Sequence, residues 1–303
     1  MRRKVVQQGP ATLMVSLPSK WVKQFGIIKG QELDLDQEDG KLIINLDQDK
    51  KLAQKSFLNI TNLRTKTFNY SILALYVKGV DELEIRSEDP KKLSKLDYIV
   101  SQLIGYEIVS QGKNSVMIKD VSIIAGDEFN TMFRRAMLII NQMSQEAYDE
   151  IKKKSYDLSR IEKMDLSVNR FMFFCLRILN KIGVGDEMKA KVLFHNILVL
   201  EQLGDNLDGL CSYITKHKVV FDKKIIDLFG MINELLHLYQ KIFYKFDLQM
   251  SSDMENKYRE IDEGFEKFID KTSDAKQLRC VMAMHTIVNQ IADLLRNQRI
   301  VEL

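Results

Sequence analysis

Three carboxylates, Glu201, Asp205 and Asp208, recur at spacings of four and three in a stretch whose apolar residues keep the same rhythm. Leu193, Ile197, Leu200, Gly204, Leu207, Cys211 and Ile214 follow an unbroken 4-3-4-3-4-3 spacing, the seam of a helix packed in a bundle. Each acid falls one residue after a seam position, so the three stack on one face along the seam's edge. Carboxylates placed in this way repel one another unless an arginine, a lysine or a metal ion stands among them. Gly204 costs helix propensity, and its place in the seam fits the close approach of a neighbouring helix.

The last helical stretch repeats the pattern. His285, Val288, Ala292 and Leu295 form its seam, with Asn289, Asp293 and Arg296 offset by one. Asn289 matches Glu201, Asp293 matches Asp205 and Ala292 matches Gly204, which implies two three-helix units related by an internal repeat. Counting back from a turn at residues 182–186 brings Glu162 and Asp165 level with Glu201 and Asp205. The same count from a turn at residues 270–274 brings Asp253 level with Asn289 and Asp293. The first set, Glu201, Asp205 and Asp165 with Asp208 and Glu162 beside them, offers oxygen donors that suit iron, manganese, magnesium or zinc. The competing reading is a charged helix face satisfied by lysines. The second set has lost a carboxylate at Asn289 and gained a cation at Arg296, so it is a degenerate site or an Asp293–Arg296 ion pair. The histidines His195, His217, His237 and His285 read as core or surface residues, and the 14 methionines as adaptable packing.

A second chemistry sits at the other end. Residues 1–30 carry Arg2, Arg3, Lys4, Lys20, Lys23 and Lys29 and no acid, whereas residues 31–50 carry Glu32, Asp34, Asp36, Glu38, Asp39, Asp47 and Asp49 against two lysines. A segment that separates its charges so presents one basic and one acidic face. Arg2, Arg3, Lys4, Lys20 and Lys23, doubled in a homodimer, are placed to engage the phosphates of DNA. The competing reading is an arm that only dimerises.

The elements that must position these groups follow from breakers and periodicity. Pro10, Pro18 and Pro90 all lie in the first hundred residues, which predicts a mixed N-terminal third and an all-helical remainder. Residues 4–8 and 13–17 read as strands around Gly9-Pro10. A short helix follows, with Ser19 as its cap, Gly26 in the left-handed position after it and Trp21 as a core anchor. Residues 33–36 and 42–46 form a hairpin around Glu38-Asp39-Gly40-Lys41. So small a unit buries too little to stand alone, which makes a homodimer the expectation. Residues 56–122 read as α/β: strands at 57–61, 82–86, 107–110 and 115–118, a buried helix at 69–77, and a helix opened by Asp89-Pro90 that runs to about 103. They carry no glycine-rich phosphate loop, which points to a packing or dimerisation module. Residues 127–300 read as six helices with breaks near 154–158, 182–186, 217–220, 248–252 and 270–274. The fold class is thus multidomain: a small β-rich domain at 1–48, an α/β domain at 49–124 and an all-α domain at 125–303, its two three-helix units at about 127–216 and 219–300.

Several classes fall away. At 45% hydrophobic and 29% charged, the 303-residue chain has the apolar content of a protein with a real core. Cys175, Cys211 and Cys280 lie far apart in apolar stretches, so they read as small buried hydrophobes and not as a zinc finger or disulfide framework. No apolar run is long enough for a membrane span, and the opening residues lack the continuous apolar region of a signal peptide, so a reducing cytoplasm is expected. No nucleophile–base constellation is recognised in the sequence, so the chain reads as a regulator and not as an enzyme.

Two stretches resemble known families. Val15-Ser16-Leu17-Pro18-Ser19-Lys20-Trp21-Val22-Lys23-Gln24-Phe25-Gly26-Ile27-Ile28-Lys29-Gly30-Gln31-Glu32-Leu33 resembles the AbrB/SpoVT swapped-hairpin domain, with a strand ending in a Leu-Pro step, a short helix and a Gly30-centred turn in the same order. The resemblance covers about residues 2–46 and implies an interleaved dimeric barrel whose basic face binds DNA. The first turn, Gly9-Pro10-Ala11-Thr12, lacks the arginine that the family often carries there. Leu200-Glu201-Gln202-Leu203-Gly204-Asp205-Asn206-Leu207 looks like the Leu-Glu-Arg-Ile-Gly-Asp signature of PhoU, a resemblance that covers about residues 127–300. It implies that Glu201 and Asp205 bind metal. Together the two imply a PhoU-like phosphate uptake regulator of the archaeal type, reporting to DNA and acting on a phosphate transporter ATPase or a sensor kinase. The alternative is a scaffold or adaptor that modulates such a partner without touching DNA.

Overall fold

The computed structural model describes residues 1–38, 40–45, 53–122, 128–183 and 186–303. Asp39, Leu46, Asp47 and Asp49, the expected boundaries at 48/49 and 124/125, and part of the turn at 182–186 lie outside the described residues. The chain forms two compact units, Met1–Ala53 and Gln54–Leu303.

In the first unit β1 (Val5–Gln7) pairs antiparallel with β2 (Leu13–Val15) across a turn where Gly9 takes a φ of 77°. Helix α1 (Ser19–Phe25) ends on Gly26 in the left-handed region, as expected. Its start differs: the extended Pro18 precedes the helix, its carbonyl accepts from Val22 N, and Ser19 is the first helical residue without a capping bond. The fixed φ of proline supplies the entry for which a serine cap was expected. Strands β3 (Asp34–Glu38) and β4 (Lys41–Asn45) form the second hairpin, with Glu38 opposite Lys41.

The second unit begins with a four-stranded sheet, ordered β5-β6-β8-β7. Strands β5 (Lys55–Asn59) and β6 (Glu82–Arg86) run parallel, joined through α2 (Thr65–Val77). Strands β7 (Tyr106–Gln111) and β8 (Ser115–Asp120) form a hairpin that adds antiparallel to β6. The helix opened by Asp89, whose side chain accepts from Lys91 N, does not run unbroken to 103. It divides into α3 (Pro90–Leu93) and α4 (Leu96–Ser101). Lys92 reaches across to the carbonyls of Ile60, Thr61 and Leu63, and this bonding ties α3 to the loop after β5.

Six helices follow: α5 (Glu128–Lys153), α6 (Ser159–Ile182), α7 (Glu187–His217), α8 (Lys223–Tyr244), α9 (Leu248–Ile269) and α10 (Ala275–Glu302). Asp186, Asp222, Asp247 and Asp274 each accept a backbone N–H at the start of α7 to α10. Such caps contribute about 1 kcal/mol apiece. The Asp247 cap also corrects the expected break at 248–252, since α9 already begins at Leu248. Helices α5, α6 and α7 pack as one three-helix unit and α8, α9 and α10 as a second, with α5 against α8 and α7 against α10. Polar pairs set the register between them: Ser144 donates to Asn233, Asn141 to Gln240, Asn206 to Gln290 and Asn297 to Asn196. The three cysteines are free and buried. Among the described residues no helix is long and apolar enough to cross a membrane.

One arginine joins the sheet layer to the helices. Arg177, in the middle of α6, is 0% exposed. Its Nη1 donates to Tyr76 O at 2.6 Å, and its Nη2 to Val80 O at 2.8 Å and Asp120 Oδ2 at 2.5 Å. The guanidinium lies 4.8 Å from the Tyr76 ring centre and 5.0 Å from that of Tyr106. Lys181, one turn on, bridges Asp81 at 2.5 Å and Asp120 at 2.9 Å. Burial alone would raise the Asp120 pKa, but bonds from Arg177, Ser122 and Lys181 outweigh it and hold the carboxyl below the usual range. Removing one partner from such a buried pair leaves the other without compensation. Arg177→Met is therefore expected to lower stability by about 3 kcal/mol in urea denaturation, with part of the loss recovered when Asp120→Asn is added. A double variant no more stable than the single one would show that the charge pair is not what joins the layers.

Candidate functional site

Helix α7 crosses α6 with Gly204 against Asp165. A Cβ on Gly204 would stand 2.9 Å from Asp165 Oδ1 and 3.5 Å from Val168 Cγ1. The seam glycine therefore makes room for a carboxylate, and the expected close approach is a helix backbone against an acid. Asp165 is 8% exposed. Its Oδ2 accepts from Asn169 Nδ2 at 3.1 Å, while its Oδ1 is buried without a partner. Glu201 and Asp208 are half-buried beside it, and Asp205 and Glu162 are exposed. Among the described residues no lysine, arginine or histidine bonds to any of the five, so the lysine-satisfied face is not what forms.

The electrostatics follow from that arrangement. Burial first, then the charges of Asp205, Asp208 and Glu201, push the Asp165 pKa up to about 7. Burial and Asp205 raise Glu201 to about 7. Burial, Glu162 and Asp205 raise Asp208 as well. Asn169, four residues beyond Asp165 on α6, is a member of this site that the spacing of acids alone did not pick out.

The five carboxylates share a neighbourhood but not a point. Among the described residues no group of three or more His, Cys, Asp or Glu side chains is arranged to hold a metal ion. The structure thus brings the expected metal set of Glu201, Asp205, Asp165, Asp208 and Glu162 onto facing helices, but not around one point among the described residues. Seven residues of helix separate Glu201 from Asp208, a rise of about 10 Å, whereas oxygen ligands stand about 2–2.6 Å from a hard cation. What fits a cation is the donor chemistry: a buried carboxylate oxygen at Asp165 without a partner among the described residues, with Glu201, its pKa raised as well, on the facing helix.

In the second unit Asp293 and Arg296 form the expected ion pair. Asp253 is not level with Asn289 and Asp293. It accepts from Gln249 within its own helix, and Tyr258 OH donates to Asn289 Oδ1 at 2.8 Å. Glu255 of α9 does face α10, where Arg299 holds it at 2.5 Å. Asp262 pairs with His285 Nε2 at 2.6 Å. Asp293 and Glu255 thus each meet an arginine, which no described cation provides for the first set.

The N-terminal unit has a different kind of incompleteness. None of its described residues is buried, and α1 buries none. Val5, Val6, Leu13, Ile28, Leu35 and Leu42 are all more than half exposed, and Trp21 meets Phe25 with ring centres 5.9 Å apart. Arg2, Arg3, Lys4, Lys20 and Lys23 are exposed and bond to no described acid.

The raised carboxyls carry a stability consequence. A carboxyl that ionises at about 7 when folded and at about 3.9 when unfolded penalises the folded state increasingly as pH rises between those values. Above the folded value the penalty is present in full, and below the unfolded value it is absent. In EDTA, Asp165→Asn is expected to stabilise the protein by about 2 kcal/mol at about pH 8, with the gain vanishing below about pH 4. A variant less stable than its parent at the higher pH would contradict the assignment.

Compared with known proteins, residues 6–53 match the family of antidote-toxin recognition MazE, a bacterial antitoxin. No curated protein and no solved structure matches the chain. The N-terminal segment is thus similar to this family, and the match ends where the compact unit Gln54–Leu303 begins.

Proposed function

We propose that the protein is a DNA-binding regulator that works as a homodimer through residues 1–53 and takes up a divalent cation in its helical body, in the control of phosphate uptake. The observation that carries the proposal is the N-terminal unit. It matches a MazE-type family, leaves its apolar strand residues uncovered in a single chain and displays five cations that pair with no acid among the described residues. A second copy would cover Val5, Val6, Leu13 and their neighbours, and would double Arg2, Arg3, Lys4, Lys20 and Lys23 into a polyvalent phosphate-binding face. Contacts of this kind position a protein on a duplex without reading bases.

In the helical body Asp165, Glu201 and Asp205, with Asp208 and Glu162 at the margin, would hold the cation. When bound, it would supply the positive charge that these carboxylates lack. Iron, manganese, magnesium or zinc each suit oxygen donors. The link to phosphate uptake rests on the likeness of Leu200-Glu201-Gln202-Leu203-Gly204-Asp205-Asn206-Leu207 to the PhoU signature, with two three-helix units as its setting. A phosphate transporter ATPase or a sensor kinase is the partner that this likeness implies. The role is regulatory and not enzymatic. The MazE match also supports a second, antitoxin-like reading, in which the segment recognises a protein instead of DNA.

Duplex affinity against salt separates these readings. If Arg2, Arg3 and Lys20 each meet a phosphate in both subunits, Arg2→Ala/Arg3→Ala/Lys20→Ala reduces the slope of log K against log salt by roughly 5. No duplex binding by the parent at low salt, or a slope that the triple variant leaves unchanged, would remove the DNA reading.

A further inference from the structure

A cleft of about 340 Å³ opens between α2 and α4 of the sheet layer and α6 of the bundle. Its charge has one sign. Among the described residues Lys66 and Arg170 line it and no carboxylate does. Neither cation forms an ion pair among the described residues; Lys66 rests 5.7 Å over the Tyr70 ring. The larger cavity at α8 and α9, about 640 Å³, mixes Asp222, Asp227 and Glu260 with Lys224, Lys267 and Lys271 and so selects no ligand charge.

The same cleft gathers aromatic surface. Tyr70 is 60% exposed and Tyr98 64%, one from each side helix, and Phe173 contributes from α6. Two amides add polarity. Asn69 makes no side-chain hydrogen bond among the described residues, and its Oδ1 is buried without a donor. Asn169 gives its Nδ2 to Asp165, which fixes its other amide atom as oxygen, and that Oδ1 also lacks a donor. Unpartnered buried acceptors of this kind are costly. Turning Asn69 outward breaks no existing bond. Flat rings at hand, acceptors awaiting N–H groups and two unpaired cations together describe a ligand with a planar N–H-bearing ring and an anionic group.

We infer that this cleft binds a mononucleotide, its base against Tyr70 and Tyr98, its base edge on Asn69 and Asn169, and its phosphate on Lys66 and Arg170. The volume falls in the range of small-molecule sites, and such sites favour junctions between layers. The inference stands apart from the DNA reading, and with the cation reading it shares only Asn169, whose nitrogen bonds Asp165.

Calorimetric titration of the full chain with AMP and GMP tests it, with adenosine and inorganic phosphate as separate arms. At least one nucleotide is expected to bind about tenfold more tightly than either fragment. Tyr70→Ala and Tyr98→Ala should each weaken it about tenfold, the loss of one stacking contact. Lys66→Gln and Arg170→Gln should weaken the nucleotide and leave adenosine unchanged. All four positions are exposed, so the variants should keep the parent's melting temperature. Absence of nucleotide binding at about 1 mM overturns the inference. So does phosphate binding as tight as AMP with no effect of the tyrosine variants, which would mean an anion site only, or nucleotide binding that none of the four variants alters.

Discussion

An ionised carboxylate pressed against a helix backbone, out of water, must be neutralised by a proton or by a cation. Asp165 is in that position. Gly204 gives it space, Asn169 bonds one of its oxygens, and the other oxygen has nothing. Glu201, Asp205 and Asp208 on the facing helix then add negative charge to a place that already disfavours it. The protein answers by holding protons near neutral pH, and a proton held at about 7 is one that a divalent ion can displace. The seam of α7 and the acid stripe beside it are thus one device: the glycine that permits close packing also creates the desolvated carboxylate.

Helix α6 handles a second buried charge in the opposite manner. Arg177 is enclosed completely and finds two carbonyls, a carboxylate and two aromatic faces. Compensation there ties the sheet layer and the bundle into one unit, and its absence at Asp165 leaves a site open to chemistry. Between the two lies Asn169, which gives its nitrogen to Asp165, keeps a buried oxygen without a donor among the described residues and lines the cleft. The N-terminal unit is incomplete in apolar rather than ionic terms, because its strands present apolar side chains to solvent.

Much of this was legible before any fold was known. The 4-3 rhythm from Leu193 to Ile214 placed α7, and its glycine marked the close approach. Local breakers placed most helix ends, and the Asp293–Arg296 pair followed from spacing alone. Register between helices was less accessible. Counting from a turn assumes that every hairpin consumes the same length of chain; α9 begins at its Asp247 cap, and the count that chose Asp253 missed Glu255 and Tyr258. Ser19 was misplaced by one position because a proline had already set the entry. Arg177 carried a signal that periodicity passes over: a lone cation amid Phe174, Cys175, Leu176, Ile178 and Leu179 has to be answered by something outside its own helix.

Cation uptake with concurrent proton release bears most directly on the carboxylate set. Manganese would be titrated into the EDTA-stripped full chain at about pH 6.5 in two buffers of different ionisation enthalpy, so that the heat reports the protons displaced. Protonated carboxyls at Asp165 and Glu201 predict uptake with on the order of one proton released per ion, and loss of both in Asp165→Asn/Glu201→Gln. Manganese bound equally by that variant, or not bound by the parent at all, would contradict the account.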